Sequence, residues 1–229
     1  YLFKIIFESS FKTTMKTPVA RKKNKELKIH NHTRIDNYYW LNERDNPDVI
    51  RYLKEENEYS ETKMKHTENL QQELYNEITG RLDKEESSVP YFLDGYFYSQ
   101  RFEKGYEYPF FTRKKESLEA DEEILINQNL LAKNQPFCEI GQLNVCSKNK
   151  LLAYSVDFVS RRMYSIYFKN LETGELLEDT IHNTSGGFAW ANDGQTLFYT
   201  RKDEKTLRSN KIYKHTIGTN SDDDKLIFV

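Results

Sequence analysis

The sequence predicts a mainly β fold preceded by an N-terminal α-helical segment, and three observations carry the prediction. Aromatic residues make up 14% of the 229-residue chain, with 16 Tyr and 14 Phe, a usage that suits strands, where large rings pack against cross-strand neighbours. The hydrophobic period then changes along the chain: apolar ladders at spacing four before Ser87 give way to short alternating aromatic runs after it. Finally, the later runs repeat. Leu152-Ala153-Tyr154 returns 45 residues on as Leu197-Phe198-Tyr199, and Ile166-Tyr167 returns 46 residues on as Ile212-Tyr213. A period of about 40–50 residues with four short strands per unit is the pattern of β-propeller blades, with a plain antiparallel meander as the alternative.

Each element follows in order. Residues 1–14 read as an over-read or leader ahead of Met15-Lys16-Thr17-Pro18, because the apolar run Tyr1–Phe7 is broken by Lys4 and is too short for a signal-peptide core. Residues 15–86 read as an extended arm and two helices. A basic stretch at 20–28 leads into Thr33–Leu41 (TRIDNYYWL), whose three aromatic and two aliphatic residues in nine positions must dock on something. Asn46 can cap the first helix, Pro47 suits its first position and Asp48 complements its dipole, with Val49 and Leu53 on the apolar face. A second helix starts at Thr67 and carries Leu70, Leu74, Ile78 and Leu82 on one face.

Residues 87–229 read as the first blades. Tyr91-Phe92, Tyr96-Phe97-Tyr98 and Tyr108–Phe111 are short strands parted by Asp94-Gly95 and Lys104-Gly105 turns. Leu151–Phe158 and Ser165–Leu171 form a hairpin around Arg161-Arg162, and Thr196–Thr200 with Lys211–Thr216 form another. The turns Ser147–Lys150 and Asn192–Gln195 hold the same place in successive units, as do Thr173-Gly174 and Gly218-Thr219. That makes about three blades, fewer than the ~4 a closed ring requires. Together with the apolar Leu226–Val229 at the end of the sequence, this reads as a piece of a longer protein.

Composition excludes several classes of function. With 34 Lys plus Arg against 36 Asp plus Glu, the net charge of −2 argues against nucleic acid as a partner. No stretch approaches the ~20 apolar residues of a membrane span, so the chain reads as soluble and cytoplasmic. Cys138 and Cys146 are too few for a disulfide framework and read as small buried hydrophobes. His30 and His32 lack a third ligand, His66 sits between the two helices where a helix C-terminus favours a cation, and His182 and His215 read as surface residues, so no metal is expected. Acidic runs such as Asp222-Asp223-Asp224 read as solvated turns. There is no G-x-S-x-G, P-loop, G-x-G-x-x-G or H-E-x-x-H, so the sequence offers no catalytic residue and no cofactor. Arg161-Arg162 is the candidate binding feature: two guanidinium groups at a hairpin tip can clamp a carboxylate of another domain or lie on a substrate path, with a solvated turn as the alternative.

Asp36-Asn37-Tyr38-Tyr39-Trp40-Leu41, followed by an acidic stretch, Pro47 and a helix, resembles the N-terminal region of the prolyl oligopeptidase family. Residues 33–41, 157–164 (DFVSRRMY), 168–174 (FKNLETG), 188–193 (FAWAND) and 215–219 (HTIGT), with 224–227 behind, resemble its oligopeptidase B (protease II) branch, in order and from about Thr17 to Val229. The resemblance implies a serine peptidase with a seven-bladed propeller capping an α/β-hydrolase domain, and an N-terminal helical segment packed on that hydrolase. It implies hydrolysis of small peptides after Lys or Arg, with a Ser–His–Asp triad in the C-terminal domain and the propeller excluding large folded proteins. No position here matches the triad. On this reading the chain is an inactive N-terminal portion, its partners are the hydrolase domain of the same polypeptide and oligopeptides, and Tyr38, Tyr39, Trp40 and Leu41 dock on the hydrolase, partly exposed without it. A standalone propeller-type binding module and the gating subunit of a two-chain peptidase are the alternatives.

Overall fold

A computed structural model of the chain describes residues 15–203 and 206–229, so the expectation for residues 1–14 falls outside the described residues. The chain divides into two compact units, one running to Leu82 and one starting at Asp83.

In the first unit β1 (Lys25–Ile29) and β2 (His32–Asp36) pair antiparallel. This hairpin replaces the extended basic segment expected at 20–28. Its turn is His30-Asn31, both left-handed at φ 49° and 61°, the backbone a two-residue hairpin requires and one that Asn tolerates. After a 3-10 turn at Tyr39–Asn42, α1 (Pro47–Met64) starts as its sequence dictates: the Asn46 side chain accepts the Asp48 N–H at 2.9 Å and Pro47 takes the first position. Hydrogen bonds from Lys23 and then Arg51 hold the Asp48 carboxyl below the usual range. A 3-10 turn at Lys65–Thr67 leads into α2 (Glu68–Gly80), which buries none of its residues. Its ladder of Leu70, Leu74 and Ile78 is an apolar face without a covering layer in this unit.

The second unit is built of strands. β3 (Tyr91–Leu93), β4 (Tyr96–Arg101), β5 (Phe110–Lys115) and β6 (Glu122–Asn127) form a 4-stranded antiparallel sheet in sequence order. After the short helix α3 (Gln128–Ala132), β7 (Glu139–Val145), β8 (Leu151–Asp157), β9 (Tyr164–Asn170), β10 (Leu176–Trp190), β11 (Thr196–Lys202), β12 (Ser209–Thr216) and β13 (Lys225–Phe228) follow. They form one 7-stranded sheet, again in sequence order.

The long β10 explains that sheet. Its first half pairs with β9 as far as Thr184↔Tyr164, and its second half pairs with β11 from Thr184↔Arg201 to Trp190↔Leu197. The bend lies at Gly186, whose φ is 90° and where an added Cβ would come within 2.7 Å of the Tyr164 ring. Glycine is therefore required twice, for the backbone angle and for the close approach. One strand thus closes the second blade and opens the third, giving the blades β3–β6, β7 to the first half of β10, and the second half of β10 to β13. The sheets do not close into a ring, as in part of a propeller.

Burial follows from this stacking. β8 is sandwiched, with Leu152, Tyr154 and Val156 packed toward the first blade and Ala153 toward the third. A strand covered on both faces loses alternation, and LLAYSVD is a near-continuous buried run. The repeat noticed in the sequence is a repeated ring contact: Tyr154 stacks on Tyr167 at 5.6 Å, and Tyr199 stacks on Tyr213 at 5.6 Å one blade later. Cys138 and Cys146 are buried and free, at the two ends of β7.

Candidate functional site

The first strands of the three blades, β3, β7 and the second half of β10, converge on a cavity of about 270 Å3 lined by Leu93, Leu143, Val145 and Ala189 among others. Inner strands converging in this way are what a propeller places around its central passage.

The Arg161-Arg162 pair sits on the β8–β9 turn. Asp157, fully buried at the end of β8, organises the turn by accepting the backbone N–H groups of Val159 at 2.7 Å, Arg161 at 2.9 Å and Arg162 at 2.6 Å. Ser160 and Arg162 take left-handed φ values of 59° and 56°. A single carboxylate thus satisfies three backbone donors and leaves both guanidinium groups exposed. Lys202 of the next blade donates to the Arg162 carbonyl at 2.6 Å, so the turn is also fastened to β11.

In the first unit, Tyr38 and Tyr39 are 43% and 39% exposed and Leu41 is half-buried. Trp40 departs from the expected partial exposure. It is buried in its own unit, its indole N–H donates to the Arg21 carbonyl at 2.8 Å, and the Lys23 ammonium lies 4.7 Å from its ring. The basic approach segment itself gives Trp40 the partners that an amphipathic ring needs.

His215 is a clearer correction. Expected at the surface, it is fully buried, with Nδ1 2.8 Å from Asp224 and Nε2 3.3 Å from Asp179. Asp224, read as part of a solvated acidic run, also accepts the Tyr199 hydroxyl at 2.8 Å, and Asp179 accepts the Gly218 N–H at 2.7 Å. Burial, and then the Asp224 hydrogen bond, push the Tyr199 phenol upward. A neutral imidazole has one N–H, so this ring donates to both carboxylates only when doubly protonated. The cluster ties β10 of the second blade to β12 and the segment before β13 in the third. His182, by contrast, is exposed as expected and bonds Ser165. His30 lies in the β1–β2 turn and His32 opens β2 on an exposed ribbon, and no group of three metal-ligating side chains occurs among the described residues.

The spacing of these contacts offered the signal that sequence reading missed. His215 stands 46 residues after Lys169, as Tyr213 stands after Tyr167. Lys169 donates to the Leu125 carbonyl of the blade before it at 3.0 Å, and His215 reaches Asp179 of the blade before it. A nitrogen-bearing side chain at this strand position links each of these two blades back to its predecessor.

Comparison with known proteins agrees with this architecture. Residues 18–229 match the family model described as prolyl oligopeptidase, N-terminal β-propeller domain. Among curated relatives, dipeptidyl aminopeptidase BI of Pseudoxanthomonas mexicana is 36% identical over 227 residues, which cover 92% of this chain and 31% of that protein. Protease 2 of Moraxella lacunata is 33% identical over 221 residues, covering 93% of this chain and 32% of the relative. The chain therefore spans about a third of the length of the curated relatives it matches. Among solved structures, oligopeptidase B from Leishmania major superposes with a TM-score of 0.84 at 26% identity, covering 94% of this chain and 33% of that one. Oligopeptidase B from Trypanosoma brucei, in a closed form with covalently bound antipain, gives 0.81 at 26%, over 93% of this chain and 32% of that one. With the blade repeat, the converging inner strands and a family match over nearly its whole length, the chain belongs to the prolyl oligopeptidase family, through its N-terminal β-propeller domain.

Proposed function

We propose that the chain is the propeller-bearing N-terminal portion of an oligopeptidase B-like serine peptidase that hydrolyses small peptides after Lys or Arg. In this reading the hydrolase domain of the same polypeptide supplies the triad and the propeller restricts substrates by size. The arm and helices of residues 15–86 dock on that hydrolase through Tyr38, Tyr39 and Leu41, with the buried Trp40 holding that segment in place, and Arg161 and Arg162 contact it or line the substrate path. The protein works in the cytoplasm. The observation that carries the reading is the likeness to oligopeptidase B, which runs through both the helical segment and the blades at a TM-score of 0.84. The exposed apolar face of α2 and the half-exposed Tyr38 and Tyr39 support a covering partner for the first unit.

The test is hydrolysis of fluorogenic peptides bearing Arg or Lys before the reporter, by the full-length polypeptide and by the 229-residue chain alone. Turnover by the former and none by the latter is expected. A full-length protein that cleaves such peptides no faster than their uncharged analogues overturns the reading. The relative named as a dipeptidyl aminopeptidase favours a second reading, release of dipeptides from a free N-terminus. Blocking the substrate's amino group distinguishes the two, because an endopeptidase accepts the blocked peptide and a dipeptidyl aminopeptidase does not.

A further inference from the structure

Three arginines of the second unit sit half-buried or deeper in the blades, and two have carboxylate partners. Arg101 pairs with Glu122 at 2.7 Å and with Glu103, and Arg113 pairs with Glu123 at 2.6 Å. Arg201 has no carboxylate partner among the described residues. Its guanidinium is held over Tyr213 at 4.9 Å and Tyr199 at 5.6 Å, and its Nε is buried without a hydrogen-bond acceptor. Directly across the β11–β12 ladder stands Lys211, which also lacks an ion pair among the described residues. Like charges directly opposite each other on a sheet destabilise it, and a buried unsatisfied guanidinium donor costs more than a wet one.

Arg201 lines a cavity of about 400 Å3 at the seam between the second and third blades, with Met163, Asn183, Thr184, Lys202 and Leu207. The acids at this end are already engaged. Asp157 holds the Arg161-Arg162 turn, and Asp203, which also lines the cavity, accepts the backbone N–H of Thr206 at 2.7 Å and its hydroxyl at 2.9 Å. Lys202, bonded to the Arg162 carbonyl, joins the cavity to the exposed Arg161-Arg162 turn, so the mouth is cationic while Met163 and Leu207 give it an apolar wall.

We propose that this cavity binds a carboxylate carried on a small apolar group, the C-terminal residue of a short peptide, with Arg201 as its anchor and Arg161, Arg162 and Lys202 raising the local positive potential. A planar guanidinium already fixed on two rings meets a carboxylate with little loss of side-chain freedom. The inference deepens the oligopeptide reading above by assigning a peptide subsite to the propeller itself.

The test measures binding of N-acetyl-Ala-Leu and of its C-terminal amide to the full-length protein by calorimetry. Neither probe contains Lys or Arg, so neither is a substrate under the proposed activity, and failure here leaves the hydrolysis assay to judge that activity separately. The acid is expected to bind about tenfold or more tightly than the amide, the loss of one charge-assisted contact. That preference is expected to shrink as salt is raised, and Arg201→Gln is expected to abolish it. Equal binding of acid and amide, binding of neither, or an Arg201→Gln variant that retains the preference overturns the proposal. If Arg201 instead pairs with an acidic side chain elsewhere in the polypeptide, the substitution lowers the melting temperature while the wild-type protein binds no acid, and that result also overturns it.

Discussion

The two seams between blades are made by different means. Between the second and third blades polar staples run the length of the interface. The Gln142 carboxamide donates to the Phe188 carbonyl at 2.8 Å and accepts the Phe188 N–H at 3.1 Å. Trp190 donates to the Asn144 carbonyl at 3.1 Å, Ser155 to Gly186 at 2.9 Å, Lys202 to Arg162 at 2.6 Å and Ser221 to Thr180 at 3.0 Å. The His215 cluster closes the outer end. Between the first and second blades the staples among the described residues are few: Lys169 to Leu125 at 3.0 Å and Asn149 to Asp94 at 3.0 Å. That seam relies on apolar contact among Tyr98, Leu125, Leu152, Tyr154 and Val156, and beside them a cavity of about 460 Å3 opens between β4 and β7. The strand connection differs in the same sense. β10 passes unbroken from the second blade to the third, whereas α3 and a loop join the first to the second. Apolar burial is non-directional, whereas hydrogen bonds weaken steeply away from their preferred distance and angle and so fix the register of the groups they join. The stapled seam is therefore expected to behave as one rigid double blade, and the other to be the place where this unit yields first.

The largest test of that contrast is at the buried cluster. Asp224→Ala leaves His215 facing one carboxylate and removes the acceptor of the Tyr199 hydroxyl. Leaving a buried polar group without its partner costs about 1–3 kcal/mol, and two are left so here, so urea unfolding is expected to show a loss of about 2–6 kcal/mol. A loss below about 1 kcal/mol, the size of an exposed ion pair, would mean that the cluster is not what holds the outer seam. Next comes Gln142→Ala, which leaves both backbone groups of Phe188 without the partners that span the seam. The expected cost is about 1–3 kcal/mol, with faster hydrogen exchange at the Phe188 amide as a local readout. On the weakly stapled side, Asn149→Gly removes the bond to Asp94 and keeps the left-handed backbone, since φ is 58° at this position. It is expected to cost no more than about 0.5–1 kcal/mol. Should it cost as much as Gln142→Ala, the two seams would be alike and the comparison would fail.

How much of this was legible in the sequence follows from which contacts repeat. Tyr154 and Tyr199 could be matched because each stacks on its own partner, so the pair Tyr–Tyr returns unchanged one blade later. Asn46 and Pro47 were legible because a helix start is settled within a few residues. His215 was not, because its counterpart is Lys169. The position conserves the job of reaching back to the preceding blade while changing the side chain, and the acceptor changes with it from a backbone carbonyl to a carboxylate. Asp224 looked like its solvated neighbours because burial of that carboxylate depends on a histidine nine residues away in sequence and an aspartate on another blade. The β1–β2 hairpin was hidden for a different reason: its residues are exposed, so no apolar alternation marks it, and only the His30-Asn31 turn carries a signal. For Arg201 the type of residue was visible, but not the lack of a partner, which only three-dimensional neighbours define.

The smallest expected effect lies at the two turns that precede the second strand of each stapled blade. Asp193 holds the turn before β11, accepting the N–H groups of Gln195 at 2.9 Å and Thr196 at 2.8 Å on one oxygen and the Thr196 hydroxyl at 2.7 Å on the other. The bond from the Gln195 backbone, followed by those from Thr196, lowers its carboxyl from the ordinary 3.8 to about 2. In the second blade the same place is taken by Ser147–Lys150, where left-handed Asn149 makes the turn without a carboxylate. A depressed carboxyl stabilises the fold fully above its unfolded value and loses that contribution as the pH falls from about 4 toward about 2. Asp193→Asn keeps one acceptor oxygen and removes the charge, so its melting temperature is expected to lie below wild type at about pH 6 and to converge on it by about pH 2. Because Asp193 belongs only to the third blade, this part of the acid response should follow exchange protection of β11 and leave β8 unchanged. Equal acid sensitivity in both strands would show that the second and third blades lose structure together, and that the rigid double blade extends to its turns.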